Sequence, residues 1–196
     1  RLYAAAGAIV LAIVLGGGYY VYSASQESDA AKLFFNARLR AMSADPMGTG
    51  AAGPEIVKAL AEVVEKYPST DAAQSARYEL GSLYFSSGDY DRSIQVYRDF
   101  LDRAGAKDIR AIYAWFGIGY AHEAKKEYEK ALEAFGRVAS MNPGAVHEGI
   151  SYRNIARIHE EMNDRGKALD YYRKALEKTK DPAATTLLKR KIAQLG

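Results

Sequence analysis

One pattern recurs three times between residues 74 and 182, and it dictates a stack of helical hairpins. From Gln74 the chain places Leu80-Gly81, Tyr84, Gly88, Tyr90, Ser93, Tyr97 and Leu101. From Ile112 the same template holds Trp115, Ile118-Gly119, His122, Tyr128, Ala131, Phe135 and Pro143. From Gly149 it holds Tyr152, Ile155-Ala156, His159, Ala168, Tyr172 and Ala175-Leu176. A unit of about 34 residues is too short to bury its own apolar face, so copies must stack. Gly81, Gly119 and Ala156 are small where the two helices of a unit cross, and Ser93, Ala131 and Ala168 are the matching small residues on the second helix. Tyr97, Phe135 and Tyr172 fill the space between successive units. The small second-helix positions are 38 and 37 residues apart. The excess falls in the connections 104–108 and 144–148, where insertions are tolerated.

Around these units the helical pattern continues. Residues 27–44, with Leu33, Phe34, Ala37, Leu39 and Met42, and residues 55–67, with Ile56, Leu60, Val63 and Val64, predict a degenerate first pair. The glycine-rich stretch 45–54 between them predicts a mobile loop. Pro143 and Pro182 end second helices or the connections after them. Residues 183–196 predict a terminal helix with Leu187, Leu188, Ile192 and Leu195 on one face, the cap that covers the open core of the last unit.

The spacing of these small and aromatic positions resembles the tetratricopeptide-repeat (TPR) family over residues 74–182. Ser93 replaces the usual Ala, and His122 and His159 stand where Tyr is common. The resemblance implies that the first helices of successive repeats line a groove for a protein partner. Its inward positions are Tyr78, Ser82 and Phe85, then Tyr113, Phe116, Tyr120 and Glu123, then Ile150, Arg153, Arg157 and Glu160. Such a groove is aromatic at one end and charged at the other, and aromatic and Arg side chains are common interface anchors. Carboxylate-clamp members of the family use Lys and Asn where this chain has Tyr78 and Ser82. An extended or unfolded segment with apolar side chains is therefore the expected ligand, rather than an acidic C-terminal peptide.

Residues 1–22 have a different character. Leu2 to Tyr22 carries no charge over 21 residues. As a helix rising ~1.5 Å per residue it matches the ~30 Å hydrocarbon core of a bilayer. Tyr3, Tyr19, Tyr20 and Tyr22 stand at its two ends, where interfacial aromatics belong. A cleaved signal peptide has a shorter apolar region and a small-x-small site, for which Ser23-Ala24-Ser25 is a weak match. A retained single transmembrane helix is the expectation. Arg1 before the span and Glu27 and Asp29 after it place the N-terminus in the cytoplasm and the repeats outside. Ala4, Ala8, Ala12 and Gly16 form a small-residue stripe suited to transmembrane packing, and Gly16-Gly17-Gly18 suggests flexibility between anchor and domain.

The formal charge of +3 hides an asymmetry: −4 over residues 55–164 and +6 over 165–196. A solvated terminal helix accounts for the basic end. There is no cysteine, so disulfides and thiolate metal sites are excluded. Gly16–Gly18 and the glycines of 48–53 lack the rest of a phosphate-binding motif, and His122, His147 and His159 form no metal-ligand spacing. His122 and His159 occupy equivalent repeat positions, which points to packing. No nucleophile–base pair is visible, and Lys189-Arg190-Lys191 lacks the interleaved aromatics of a nucleic-acid face. The expectation is a non-enzyme with no cofactor, metal, small-molecule substrate or nucleic acid.

The order of parts (an N-in anchor ending in aromatics, an amphipathic helix, TPRs and a short Leu/Ile-rich terminal helix) resembles the YfgM-type ancillary subunits of the bacterial Sec translocon. That resemblance implies a single-pass inner-membrane protein with a periplasmic TPR domain. Its implied partners are translocon subunits, nascent secretory chains or chaperones. A scaffold or assembly factor of an envelope machine (pilus, cell division or outer-membrane assembly) is the alternative, and a cytoplasmic docking receptor is a third reading.

Overall fold

The computed structural model describes residues 2–44, 53–105 and 107–196, and the side chains of all of these except 2–12 and Ala44. The described residues form α-helices without strands: α1 (Leu2–Ala44), α2 (Gly53–Lys66), α3 (Asp71–Ser86), α4 (Tyr90–Arg103), α5 (Arg110–Ala124), α6 (Tyr128–Ser140), α7 (Ala145–Glu161), α8 (Arg165–Lys178) and α9 (Pro182–Leu195). The chain divides into two compact units, Arg1–Glu79 and Leu80–Gly196.

In the first unit α1 runs unbroken through Gly16–Gly18, so the expected flexible point is a continuous helix. Among the described residues no helix is long and apolar enough to cross a membrane. The expected span 1–22 rests largely on side chains 1–12, which lie outside the described residues, as do Ala4, Ala8 and Ala12 of the small-residue stripe; the loop 45–52 also lies outside them. Farther along, α1 buries Ala30 and Ala37, and α2 buries Leu60 and Val63. The Glu27 carboxylate accepts from the first amides of α3, Asp71 N–H at 2.8 Å and Ala72 N–H at 3.2 Å. A carboxylate suits a helix N-terminus, where amides lack intrahelical partners. Arg77, buried, donates to the Pro68 carbonyl at 2.9 Å.

In the second unit the repeat positions do what their sizes require. Gly81 and Gly117 clasp the Tyr97 ring, and Gly119 lies against Phe135. Ser93 donates to the Gly81 carbonyl at 2.8 Å, and Ser151 to the Phe135 carbonyl at 2.6 Å, so each buried hydroxyl is satisfied. The turns inside the hairpins share one design. Gly88, Lys126 and Asn163 each have φ near +60° to +80°, and Asp89, Glu127 and Asp164 follow. Asp89 and Asp164 cap α4 and α8 by accepting from Arg92 and Lys167 amides, both at 3.1 Å. One core cluster gathers Ile112, Phe116, Phe135, Val138, Ile155 and Ile158. The last gathers Ala156, Ala168, Tyr172, Ala175 and Leu188 under α9. His122 and His159 are buried.

Candidate partner-binding face

Helices α5 and α7 open their hairpins, and α9 stands where a further first helix belongs. Polar rungs join these three, and their sequence offset repeats. Tyr113 and His147, 34 residues apart, meet at 3.1 Å with their rings edge-on at 5.4 Å. His147 Nδ1 faces the Pro143 carbonyl at 3.3 Å, which can only accept, so Nε2 accepts from the Tyr113 hydroxyl. Asn154 Nδ2, again at an offset of 34, donates to the Tyr120 hydroxyl at 2.9 Å. Arg157 forks onto Glu123, at the same offset, with Nη2 at 2.8 Å. From α9, Lys191 donates to both oxygens of Glu160 at 3.0 and 3.1 Å, while the Tyr172 hydroxyl donates to the same carboxylate. Burial and that carboxylate raise the Tyr172 hydroxyl far above its ordinary pKa, so it stays a donor. The rungs fix the spacing of the first helices.

Between the rungs, apolar surface remains open. A cavity of about 290 Å³ between α7 and α9 is lined by Val146, Ile150, Arg153, Ala184 and Leu188, among others. Val146 is 68% exposed, Ile109, just before α5, is 56% exposed, and Tyr113 is 45% exposed. A second, more open cavity of about 520 Å³ is lined by Phe85, Tyr120, Glu123 and Tyr128. The face therefore offers apolar ledges at the starts of α5 and α7, with Arg153 lining the cavity beside the second.

The anticipated groove residues divide by their surroundings. Tyr113, Ile150 and Arg153 line open surface, and Tyr113 also holds the rung to His147. Tyr120, Glu123, Arg157 and Glu160 hold the rungs, with Tyr120 and Glu123 also lining the second cavity. Phe116 is a correction: it is buried, 6.3 Å from the Phe135 ring and 6.2 Å from Tyr120, and belongs to the core. It points inward because Gly119, one turn on, lets α6 approach that side of α5. Phe85 is half-buried beside Tyr90 at 5.5 Å, and Ser82 is exposed. Tyr78 is half-buried in the first unit. Gly16 has nothing within 4 Å of a built Cβ. Ile109, Val146, His147 and Asn154 were not anticipated. The 34-residue offset pairs His147 with Tyr113 and Asn154 with Tyr120, and that signal was present in the sequence.

Known proteins repeat the same reading. Models of the tetratricopeptide repeat match residues 57–109 and 110–181, together well over half of the chain. A photosystem I assembly protein Ycf3 of Prochlorococcus marinus is 35% identical over 72 residues, 37% of this chain and 41% of its own length. The Ycf3 of Cyanophora paradoxa is 29% identical over 72 residues, 37% of this chain and 42% of its own. The chain thus spans less than half the length of these two relatives. Among solved structures, MamA of Desulfovibrio magneticus RS-1 superimposes with a TM-score of 0.63 at 18% identity, covering 86% of this chain and 90% of that one. At that identity the likeness is one of fold.

Proposed function

Since the chain belongs to the tetratricopeptide-repeat family, we propose that it is a non-catalytic protein-binding adaptor. Its inner face, built by α5, α7 and α9, holds an extended segment of another polypeptide. The observation that carries this reading is the run of open apolar surface at Ile109, Tyr113, Val146 and Ile150 beside Arg153, on helices whose spacing the rungs hold fixed. A rigid scaffold does not have to be ordered when the ligand arrives, so less of the contact energy is lost. Apolar ledges accept the side chains of an unfolded client, and Arg153 donates to a carbonyl or carboxylate.

The reading places the array in the periplasm, held to the inner membrane by residues 2–22, beside the Sec translocon, where it passes secreted chains to chaperones. The 21 uncharged residues and the flanking charges support that placement. A second reading, an assembly factor for a multisubunit envelope machine, draws on the similarity to proteins named for photosystem I assembly.

Photocrosslinking from positions 113 and 146 in intact membranes separates the two. Capture of many secretory chains together with the translocon supports hand-over, whereas one fixed set of machine subunits supports assembly. Val146→Asp and Arg153→Glu should each lower capture at least tenfold with the unfolding midpoint unchanged, and normal capture by both would sink the inner-face reading. A cytoplasmic signal from a C-terminal reporter would overturn the orientation.

A further inference from the structure

Helix α1 carries two apolar faces, and α2 and α3 account for only one of them. Ala30 and Ala37 lie on the covered side. On another side Phe35, Leu39 and Met42 are 65%, 50% and 67% exposed. Ala31, Phe35, Leu39 and Met42 recur at intervals of three and four, so they form one apolar stripe roughly 16 Å long at a rise of ~1.5 Å per residue. Lys32, Asn36, Arg40 and Ser43 occupy the remaining, polar face. The charges bordering the stripe are already engaged within the chain. Glu27 caps α3, Arg38 pairs with Glu79 at 3.4 Å, and Lys32 pairs with Asp29 at 3.1 Å.

We propose that this stripe is a self-association surface, on which a second copy of the chain lays its own α1 in parallel, Phe35 and Met42 against their counterparts. Three features select a second copy over other occupants. An isologous pair places the same patch on itself, which an uninterrupted apolar stripe with satisfied flanking charges permits without like-charge repulsion. The helix is continuous from Leu2, so two copies inserted in one membrane present the stripe in the same direction and at the same height. Finally, three large side chains make a smaller patch than the ~800 Å² per partner of a free-standing complex. Such a patch favours a partner held nearby, and confinement supplies effective concentrations on the order of millimolar. For that alignment the proposal rests on the anchored reading above.

The chain has no cysteine, which makes the test direct. Phe35→Cys, Met42→Cys and, on the polar face, Arg40→Cys are placed singly in the full chain and oxidised mildly in native membranes. A product of twice the chain's mass is expected at positions 35 and 42 and not at 40. Adding Leu39→Glu to Met42→Cys should lower its yield at least tenfold. No dimer at 35 and 42, equal yield at 40, or linkage only to a different protein overturns the proposal. Alkaline extraction of the same membranes reads the anchor separately. A chain that is retained but not linked overturns the dimer and leaves the anchor standing, whereas a chain that is released but linked sustains the dimer without it.

Discussion

Gly119 illustrates how little room the helix crossings leave. A Cβ built there falls 2.4 Å from the Phe135 ring, which is fully buried and has nowhere to swing. Gly119→Ala should therefore cost about 1–3 kcal/mol through overpacking, against a helix-propensity gain of about 1 kcal/mol. Gly136 is also helical but has nothing within 4 Å of a built Cβ, so Gly136→Ala should stabilise by about 0.5–1 kcal/mol. Urea midpoints of the two variants should move in opposite directions, and a shift of the same sign and size would show that packing does not govern the crossing. His159 offers a second residue-scale test. Its ring stacks on Tyr171 at 5.7 Å, Asp164 lies 3.8 Å away, and Nδ1 has no hydrogen-bond partner. Burial lowers its pKa, with Asp164 opposing and Lys167 assisting. The unfolded chain takes up that proton near pH ~6.5 while the folded chain resists it, so stability falls as pH drops from about 6.5 toward the depressed folded value. Tyr84 occupies the equivalent place in the first repeat, which makes His159→Tyr a conservative replacement. The variant should lose less stability than the parent between about pH 7 and pH 5.5, and parallel losses would exclude His159 as a source of the slope.

At the scale of elements, helix α9 closes the array. Leu188 packs beside Ala156, Ala168, Tyr172 and Ala175, and Lys191 reaches Glu160. Asp181 caps the helix by accepting from the Ala184 amide at 2.8 Å, with Pro182 in its first turn. Ending the chain after Lys180 uncovers that cluster, and burial of a single Leu side chain is worth ~1.5–3 kcal/mol. The truncated protein should unfold in two steps, with α7–α8 melting at the lower temperature, because repeats couple chiefly to their neighbours. One unchanged transition would deny α9 its role. The hairpins were legible because their crossing residues must be small and their inter-repeat residues large, whatever surrounds them. The orientation of α5 was harder to read. Its sequence, Arg110 to Ala124, is apolar on nearly every side, so no polar face marks which of Phe116 and Tyr113 turns outward. The rungs escaped notice for a different reason: Glu123 and Arg157 look like exposed helical charges until paired across one repeat length.

For the whole molecule, the decisive question is whether residues 1–22 contribute to folding or to placement. Ile13, Val14, Leu15, Tyr19, Tyr20, Val21 and Tyr22 are all well exposed among the described residues. The covered part of α1 begins only after them, with the Glu27 cap on α3 and the burial of Ala30 and Ala37. An apolar run with no internal partner adds nothing to the packed core, and in water it favours association instead. Deleting 1–22 should therefore leave helical content and the melting temperature of the remainder within about 2 °C of the parent measured in detergent, since ~1 kcal/mol moves Tm by only 2–8 °C in domains of this size. The same deletion should release the protein from membranes and abolish client capture in cells, while a client peptide binds the purified domain as before. Those two readouts belong together. If the deleted protein loses peptide binding in vitro as well, the segment shapes the inner face and does more than position it. If capture in cells survives, the array works without the membrane, and the apolar residues need another explanation.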